Sequence, residues 1–543
     1  MTQAGRPFDE AYDFIVVGSG AAGLTAALRA AHGGLSVLVC EKTELIGGTS
    51  AMSGAATWVP ANHLAQGAGV QDSPDMALRY LRATAPAGWG QDEDALWQAM
   101  AENAGPMLRF VEANSPLAFE ILDIPDVFDQ AAGAVAHGRM VTPAPLAKRL
   151  AGPFRNRLRP STLPHVFTPQ DLMTHDLYRQ PVRTALRLGH RLAWRYLTGR
   201  RAKGTGLIIG LVNACLAQGC TIRADCPATG LITDPGKSRV LGVETMSAGR
   251  RSRIGARHGV LLATGGFEWN PELMARFLPG PIDRIGSCPG NQGDAVRMAQ
   301  DLGIRLERMD QALYYPTIPT RYRGKILGMP APIHIEPGSF LIDRSGRRFM
   351  AEYASSIGED LDERDPVTNQ PIRLPVWLIG DTRLLRPVLR WKARLEPDLI
   401  QKSDTIAGLA KKLDLDPAVL EETVARFNRF SDSGRDGDFH RGESAYQKSM
   451  AETLRLVSAI DRPPYVAIRF NRSVLSTKGG LRTDARGRAI KLDGGVLGGL
   501  YAAGAAMANP IGKRAISNGT TIGPNMTWGY IVGSDVLRKA GKS

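Results

Sequence analysis

Hydrophobic and polar positions set the element pattern before any residue chemistry is considered. The run Tyr12 to Val17 is apolar and β-branched and stops at Gly18, which predicts a short strand. Leu24 to Ala31 is Leu/Ala-rich and predicts a helix directly after it. Ser36 to Cys40 predicts a second strand, and Gly259 to Thr264 a strand closing on the pair Gly265-Gly266. Ala295–Leu302 reads as a helix. So does Pro417–Phe430, with Asp416 as N-cap and Pro417 in the first turn. From Pro181 a further helix is expected, in which Arg179, Arg183, Arg187, Arg191 and Arg195 recur every fourth residue. Val182, Leu186, Leu192, Ala193, Tyr196 and Leu197 fall on another face.

The first strand and helix enclose Gly18-Ser19-Gly20-Ala21-Ala22-Gly23, the G-x-G-x-x-G pattern in its strand–turn–helix context. Gly18 permits the tight turn, Gly20 lets a pyrophosphate approach the backbone, and Gly23 lets helix and strand pack closely. The helix N-terminus supplies N–H donors and a positive dipole end. Glu41 follows the second strand, placed to accept from both ribose hydroxyls and to disfavour a 2′-phosphate. These residues predict dinucleotide binding.

Composition narrows the class. With 543 residues, 43% hydrophobic and 22% charged, the chain is long and apolar enough for two large domains or three ordinary ones. Cys40, Cys215, Cys220, Cys226 and Cys288 are odd in number and form no C-x-x-C pair. This fits a reducing compartment and argues against a zinc or iron–sulfur site. No secretory h-region and no apolar run of membrane-spanning length is visible, so the cytoplasm is the expected location. The net charge of +14 is concentrated between Lys148 and Lys203, where 13 Lys/Arg face two acids, Asp171 and Asp176. Like charges along one stripe call for a counter-charge, and an anionic membrane surface, an acidic subunit and an anionic substrate all supply one; a solvated face needs none. Nucleic acid is not expected, because zinc-finger spacing, an RNP-type segment and basic–aromatic interleaving are all missing.

Past Glu41 the chain reads Glu41-Lys42-Thr43-Glu44-Leu45-Ile46-Gly47-Gly48-Thr49-Ser50, then Ser53-Gly54 and Trp58-Val59-Pro60. Downstream come Pro289 to Asp294, Ser476-Thr477-Lys478-Gly479-Gly480, Gly499 to Gly504 and Gly519 to Gly529. Together these segments resemble the flavoproteins of the fumarate reductase and 3-ketosteroid 1-dehydrogenase superfamily, and most nearly its ketosteroid dehydrogenase branch. The resemblance implies FAD, held non-covalently because no histidine lies between Glu41 and Ala61. It implies an α/β fold: a Rossmann-like discontinuous FAD-binding domain over 1–310 and 472–543, with an Arg-rich helical insert at about 139–203, plus an α+β cap over 311–471. The implied FAD contacts are Gly18, Gly20, Ala21, Ala22, Gly23, Glu41, Lys42, Gly48, Thr49, Ser50, Ser53 and Gly54. They continue with Ala263, Thr264, Gly265, Asp294, Gly504, Gly519, Thr521 and Ile522.

The activity implied is dehydrogenation beside the carbonyl of a cyclic or steroid-like ketone, with a quinone-type or artificial electron acceptor. Such chemistry needs a group that polarises the carbonyl, a base for the α-proton, and a β-hydrogen facing flavin N5. In the family, tyrosines fill the first two roles. Here Ala515, Val127 and Ser356 stand at the matching positions. Tyr314, Tyr315 and Tyr353 are the candidate substitutes, with Ser517 and Gly519 beside the carbonyl. Two other readings stay open: an ene-reductase using Arg364 and Arg514, and a flavin-binding protein without this turnover.

Overall fold

The computed structural model describes residues 8–174, 181–247, 249–354, 357–386, 389, 392–449 and 457–542. Arg179 and Ser356 lie outside them.

The main sheet grows from the expected first unit. Strand β1 (Glu10–Val17) leads into helix α1 (Ala21–His32) and strand β2 (Val37–Cys40). β1 and β2 pair in parallel, Phe14 opposite Val37 and Val17 opposite Cys40. Helix α2 (Gly48–Met52) follows. The Arg-rich insert contains helix α3 (Pro181–Leu197), then helix α4 (Lys203–Ala217). Strands β3 (Thr221–Arg223), β4 (Ala228–Thr233), β5 (Val240–Ser247), β6 (Arg250–Leu262), β7 (Arg488–Ile490) and β8 (Val496–Ala502) complete an eight-stranded sheet. Its path is β7-β8-β6-β1-β2-β3, with β5 and β4 folded onto β6 as an antiparallel extension. Val17, Leu262 and Ala502 therefore end three adjacent parallel strands at one level, the edge where ligands bind in doubly wound sheets.

α1 and the C-terminal helix α5 (Ile522–Lys539) pack against each other, and both begin near this edge. Gly529 and Gly533 permit the contact, since a Cβ at Gly529 would stand 2.2 Å from Ala22 O. The apolar faces of both helices are buried in the main core with Phe14, Val16, Val39 and Leu261.

The middle of the chain builds a separate antiparallel sheet from Ser339–Ile342, Trp377–Gly380, Tyr465–Arg469 and Ile400–Ser403, in that spatial order. Phe340, Ile342 and Ile379 face the helices Ile406–Lys412 and Pro417–Ser433, while Leu341, Leu378 and Ile468 face a second core. Asp416 caps the second helix by accepting from Ala418 N at 2.9 Å. A small sheet of Ala312–Tyr314, Arg472–Thr477 and Ile282–Ile285 lies between these regions in the chain's path.

Candidate active site

A cavity of about 570 Å³ opens at the strand edge, a volume suited to a cofactor and part of a substrate. Every expected cofactor residue but two lines it: Gly23 and Gly519 do not.

The three glycines of the first turn behave differently. Gly18 has φ +112°, and a Cβ there would meet Ala263 O at 2.3 Å. A Cβ at Gly23 would meet Gly18 O at 2.2 Å, so this glycine serves packing rather than the cavity. At Gly20 the nearest atom to a Cβ is Ser50 Oγ at 3.5 Å, and at Gly48 and Gly54 nothing lies within 4 Å. Neither packing nor backbone conformation calls for glycine at Gly20 and Gly54, while Gly48 has φ +50°; all three line the cavity and leave it open to a closely held ligand.

The polar groups around it are tied in place. Ser50 Oγ accepts from Ala21 N at 3.1 Å and joins the starts of α1 and α2. Glu41 accepts from Ser19 Oγ at 2.6 Å and from Thr43 N at 2.9 Å, which fixes its carboxylate at the cavity edge. Lys42 reaches Asp294 at 2.5 Å. Thr49 Oγ1 accepts from Cys288 N and Asn291 Nδ2. Thr264 Oγ1 is buried at the cavity wall with no partner among the described residues, a donor and acceptor that a polar ligand would satisfy. At the opposite end, Thr521 and Ile522 present the start of α5. Lys478 donates to Thr521 Oγ1 at 3.1 Å, and burial lowers its pKa to about 8.

Leu163, Leu313, Pro330, Leu475 and Met52 make part of the same wall apolar. The segment Lys513–Gly519 lies close to several groups the sequence left apart. Val127 N donates to Ile516 O at 3.3 Å, and Tyr80 donates to the same carbonyl at 2.6 Å. Trp58 N donates to Gly519 O at 3.2 Å, and Gly519 has φ +86° with the Ala56 carbonyl 2.6 Å from a Cβ position. The structure thus brings together the regions of Val127, Ala515 and Gly519. Asp126 stabilises this corner by accepting from Trp58 Nε1 at 3.1 Å and Arg139 at 2.8 Å.

The candidate catalytic residues separate. Tyr315 is partly buried, meets His334 edge-on at 5.6 Å, and shares an apolar cluster with the cavity residue Leu163. Burial pushes its hydroxyl pKa up. Tyr314 points away from the cavity instead: strand alternation turns Leu313 to the cavity and Tyr314 to the core, where its hydroxyl accepts from Arg472 at 3.2 Å. Tyr353 is not on the cavity wall either. Its hydroxyl donates to Ile335 O at 2.6 Å, and Arg441 lies over its ring. Ser517 is buried, and its carbonyl accepts from Thr520 Oγ1 at 2.9 Å. Arg364 is bound to Asp362 at 2.6 Å and to the Asn369 carbonyl.

Two residues escaped the sequence reading. Tyr446, from the short helix Ala445–Ser449, is buried beside Ala56 and Val127 and donates to Asn518 Oδ1 at 3.3 Å. Burial raises its pKa to about 12. Glu359, on Ile357–Leu361, has a buried carboxylate oxygen with no partner among the described residues. Burial raises its pKa against the pull of Lys513 and Arg514, and burial lowers the Arg514 pKa in turn. Neither sits in a motif, so no spacing in the chain marks them.

With this geometry in hand, comparison with known proteins is specific. Residues 13–522 match the FAD binding domain family. The chain is 34% identical to a 3-oxosteroid 1-dehydrogenase of Mycolicibacterium smegmatis, over 98% of each chain. It is 33% identical to a 4-oxocyclohexanecarboxylate 2-dehydrogenase of Sinomonas cyclohexanicum, over 97% of this chain and 93% of that one. The structure matches the 3-ketosteroid delta1-dehydrogenase of Sterolibacterium denitrificans, solved with 1,4-androstadiene-3,17-dione, with a TM-score of 0.85 and 29% identity over 98% of this chain and 100% of that one.

Proposed function

The chain belongs to the FAD-dependent oxidoreductases of the fumarate reductase and 3-ketosteroid 1-dehydrogenase superfamily, acting on CH–CH groups, and we propose that it places a C=C bond beside the carbonyl of a cyclic ketone. The observation that carries this reading is the pairing, in one cavity, of an open glycine cradle with an apolar wall of Leu163, Leu313 and Pro330. FAD, when bound, accepts the hydride from the β-carbon. Gly20, Glu41, Gly48, Thr49, Ser50 and Thr264 hold it in this proposal, with Lys42 and Asp294 at the rim.

The chain's own groups supply the remaining roles. In this proposal the ketone oxygen reaches the corner beside the cavity where Tyr446 and Gly519 lie; the Tyr446 hydroxyl turns its proton from Asn518 Oδ1 to that oxygen, and with the backbone N–H of Gly519 it holds the negative charge that develops there. Tyr315 or Glu359 accepts the α-proton. The raised pKa of the Glu359 carboxyl makes it a stronger base than an ordinary carboxylate, while Tyr315 acts through a hydroxyl beside the apolar wall. Relatives act on both steroid ketones and oxocyclohexane carboxylates, and Arg514 gives a second, anionic substrate somewhere to bind. Electrons leave to a quinone-type acceptor.

Anaerobic addition of a 3-ketosteroid or of 4-oxocyclohexanecarboxylate to the yellow protein tests this. Bleaching by either compound, with the matching enone as product, is the expected result. An unbleached flavin that is instead reoxidised by an enoate after chemical reduction would overturn it in favour of an ene-reductase.

A further inference from the structure

Six of the ten large hydrophobic side chains exposed among the described residues lie between Met173 and Leu197: Met173, Val182, Leu186, Trp194, Tyr196 and Leu197. α3 explains the clustering. Thr184, Leu188 and Arg195 turn inward, and Arg195 is pinned to Asp171 at 2.5 Å and to Val166 O at 3.0 Å. At 100° per residue the opposite direction belongs to Val182, Leu186, Ala193 and Leu197, all exposed. Val182, Leu186 and Leu197 are 71%, 81% and 82% exposed, so the helix's apolar stripe faces out rather than into a core. Arg187 flanks this stripe and is exposed, Arg191 is exposed but lies toward the inward side of the helix, and no acidic residue occurs from Pro181 to Lys203.

An outward apolar stripe flanked by cations is unfavourable in water and favourable at the boundary of an anionic lipid layer, where acyl chains cover the first and headgroup phosphates pair with the second. Trp194 and Arg200, stacked at 4.6 Å, add an aromatic with a polar edge at the same surface. The charge pattern fits phosphates better than a second copy of this chain, since that copy would bring its own arginines to the contact. The loop that anchors α3 at Val166 also carries Leu163 on the cavity wall.

We propose that α3 docks the protein on anionic membrane surfaces, Leu186 and Leu197 entering the acyl boundary, Arg187 engaging lipid phosphates from the flank and Arg191 adding to the positive field of the helix. The test is co-sedimentation of the FAD-loaded protein with phosphatidylcholine vesicles and with vesicles carrying phosphatidylglycerol at about one lipid in three. Binding to the anionic vesicles at about 0.1 M salt should exceed binding to neutral ones at least about tenfold and weaken at high salt. Leu186→Asp/Leu197→Asp and Arg187→Glu/Arg191→Glu should each lower it at least about fivefold while flavin content and melting temperature stay at the parent's values. The proposal is overturned if the parent protein stays in the supernatant, or if the Leu186→Asp/Leu197→Asp protein binds like the parent. It is also overturned if these substitutions split a dimer that vesicles leave untouched, which would assign the face to a second copy.

Discussion

The Tyr446 hydroxyl donates to Asn518 Oδ1 across 3.3 Å, joining a short helix from the middle of the chain to the residue before Gly519. In sequence the two are far apart. In space they stand at the corner where Val127 also meets Ile516. Tyr446→Phe keeps the ring in its apolar pocket of Leu122, Ile124 and Met140 and removes only the hydroxyl. We expect kcat to fall about 100-fold with melting temperature within a degree or two of the parent, measured by steady-state turnover and calorimetry. An equal fall in Glu359→Gln but not in Tyr315→Phe would assign the proton acceptor to the carboxylate.

Gly20 and Gly23 separate cofactor binding from folding. Gly20→Val adds atoms toward the open cradle, so the variant should fold and purify colourless, read by visible absorbance and circular dichroism. Gly23→Val drives a side chain into the Gly18 carbonyl and Val16, and should destabilise the fold by about 3 kcal/mol or more, read by denaturant titration.

Lys478 places a buried ammonium beside the start of α5, where the helix dipole is also positive. Both favour the extra negative charge of a reduced flavin. Lys478→Met should therefore lower the two-electron midpoint potential of the bound FAD by about 30 mV or more, as read in a dye-coupled redox titration. An unchanged potential removes Lys478 from the flavin's surroundings.

His165 and His334 give the fold an acid limit. Burial depresses both imidazole pKa values to about 3, from about 6.5 in the unfolded chain. Below pH 6.5 the unfolded state takes up protons that the folded state refuses, so stability is full above that pH and is lost as pH falls toward 3. At about pH 5 each histidine should have cost about 2 kcal/mol relative to neutral pH. Melting temperature measured from about pH 7 to 5 should fall, and His165→Gln or His334→Asn should flatten the profile.

The Rossmann unit was legible because its determinants are local. A β-branched run, three glycines at fixed offsets and an acid after the second strand specify a turn with little help from the rest of the chain. The segments that line the cavity could be read for the same reason, and Asp416 announced its helix by a cap that needs only its own next two residues.

The catalytic corner was not legible in this way. Tyr314 and Tyr353 have the right chemistry, but strand alternation turns one toward Arg472 and a main-chain carbonyl holds the other. The sequence by itself determined the cofactor and the glycine turns that line the cavity, since backbone conformation there follows from adjacent residues. Tertiary structure alone decided which hydroxyls and carboxylates come near Gly519 and that the apolar stripe of α3 faces outward. Those outcomes depend on packing between segments from about twenty to several hundred residues apart, and no local spacing encodes it.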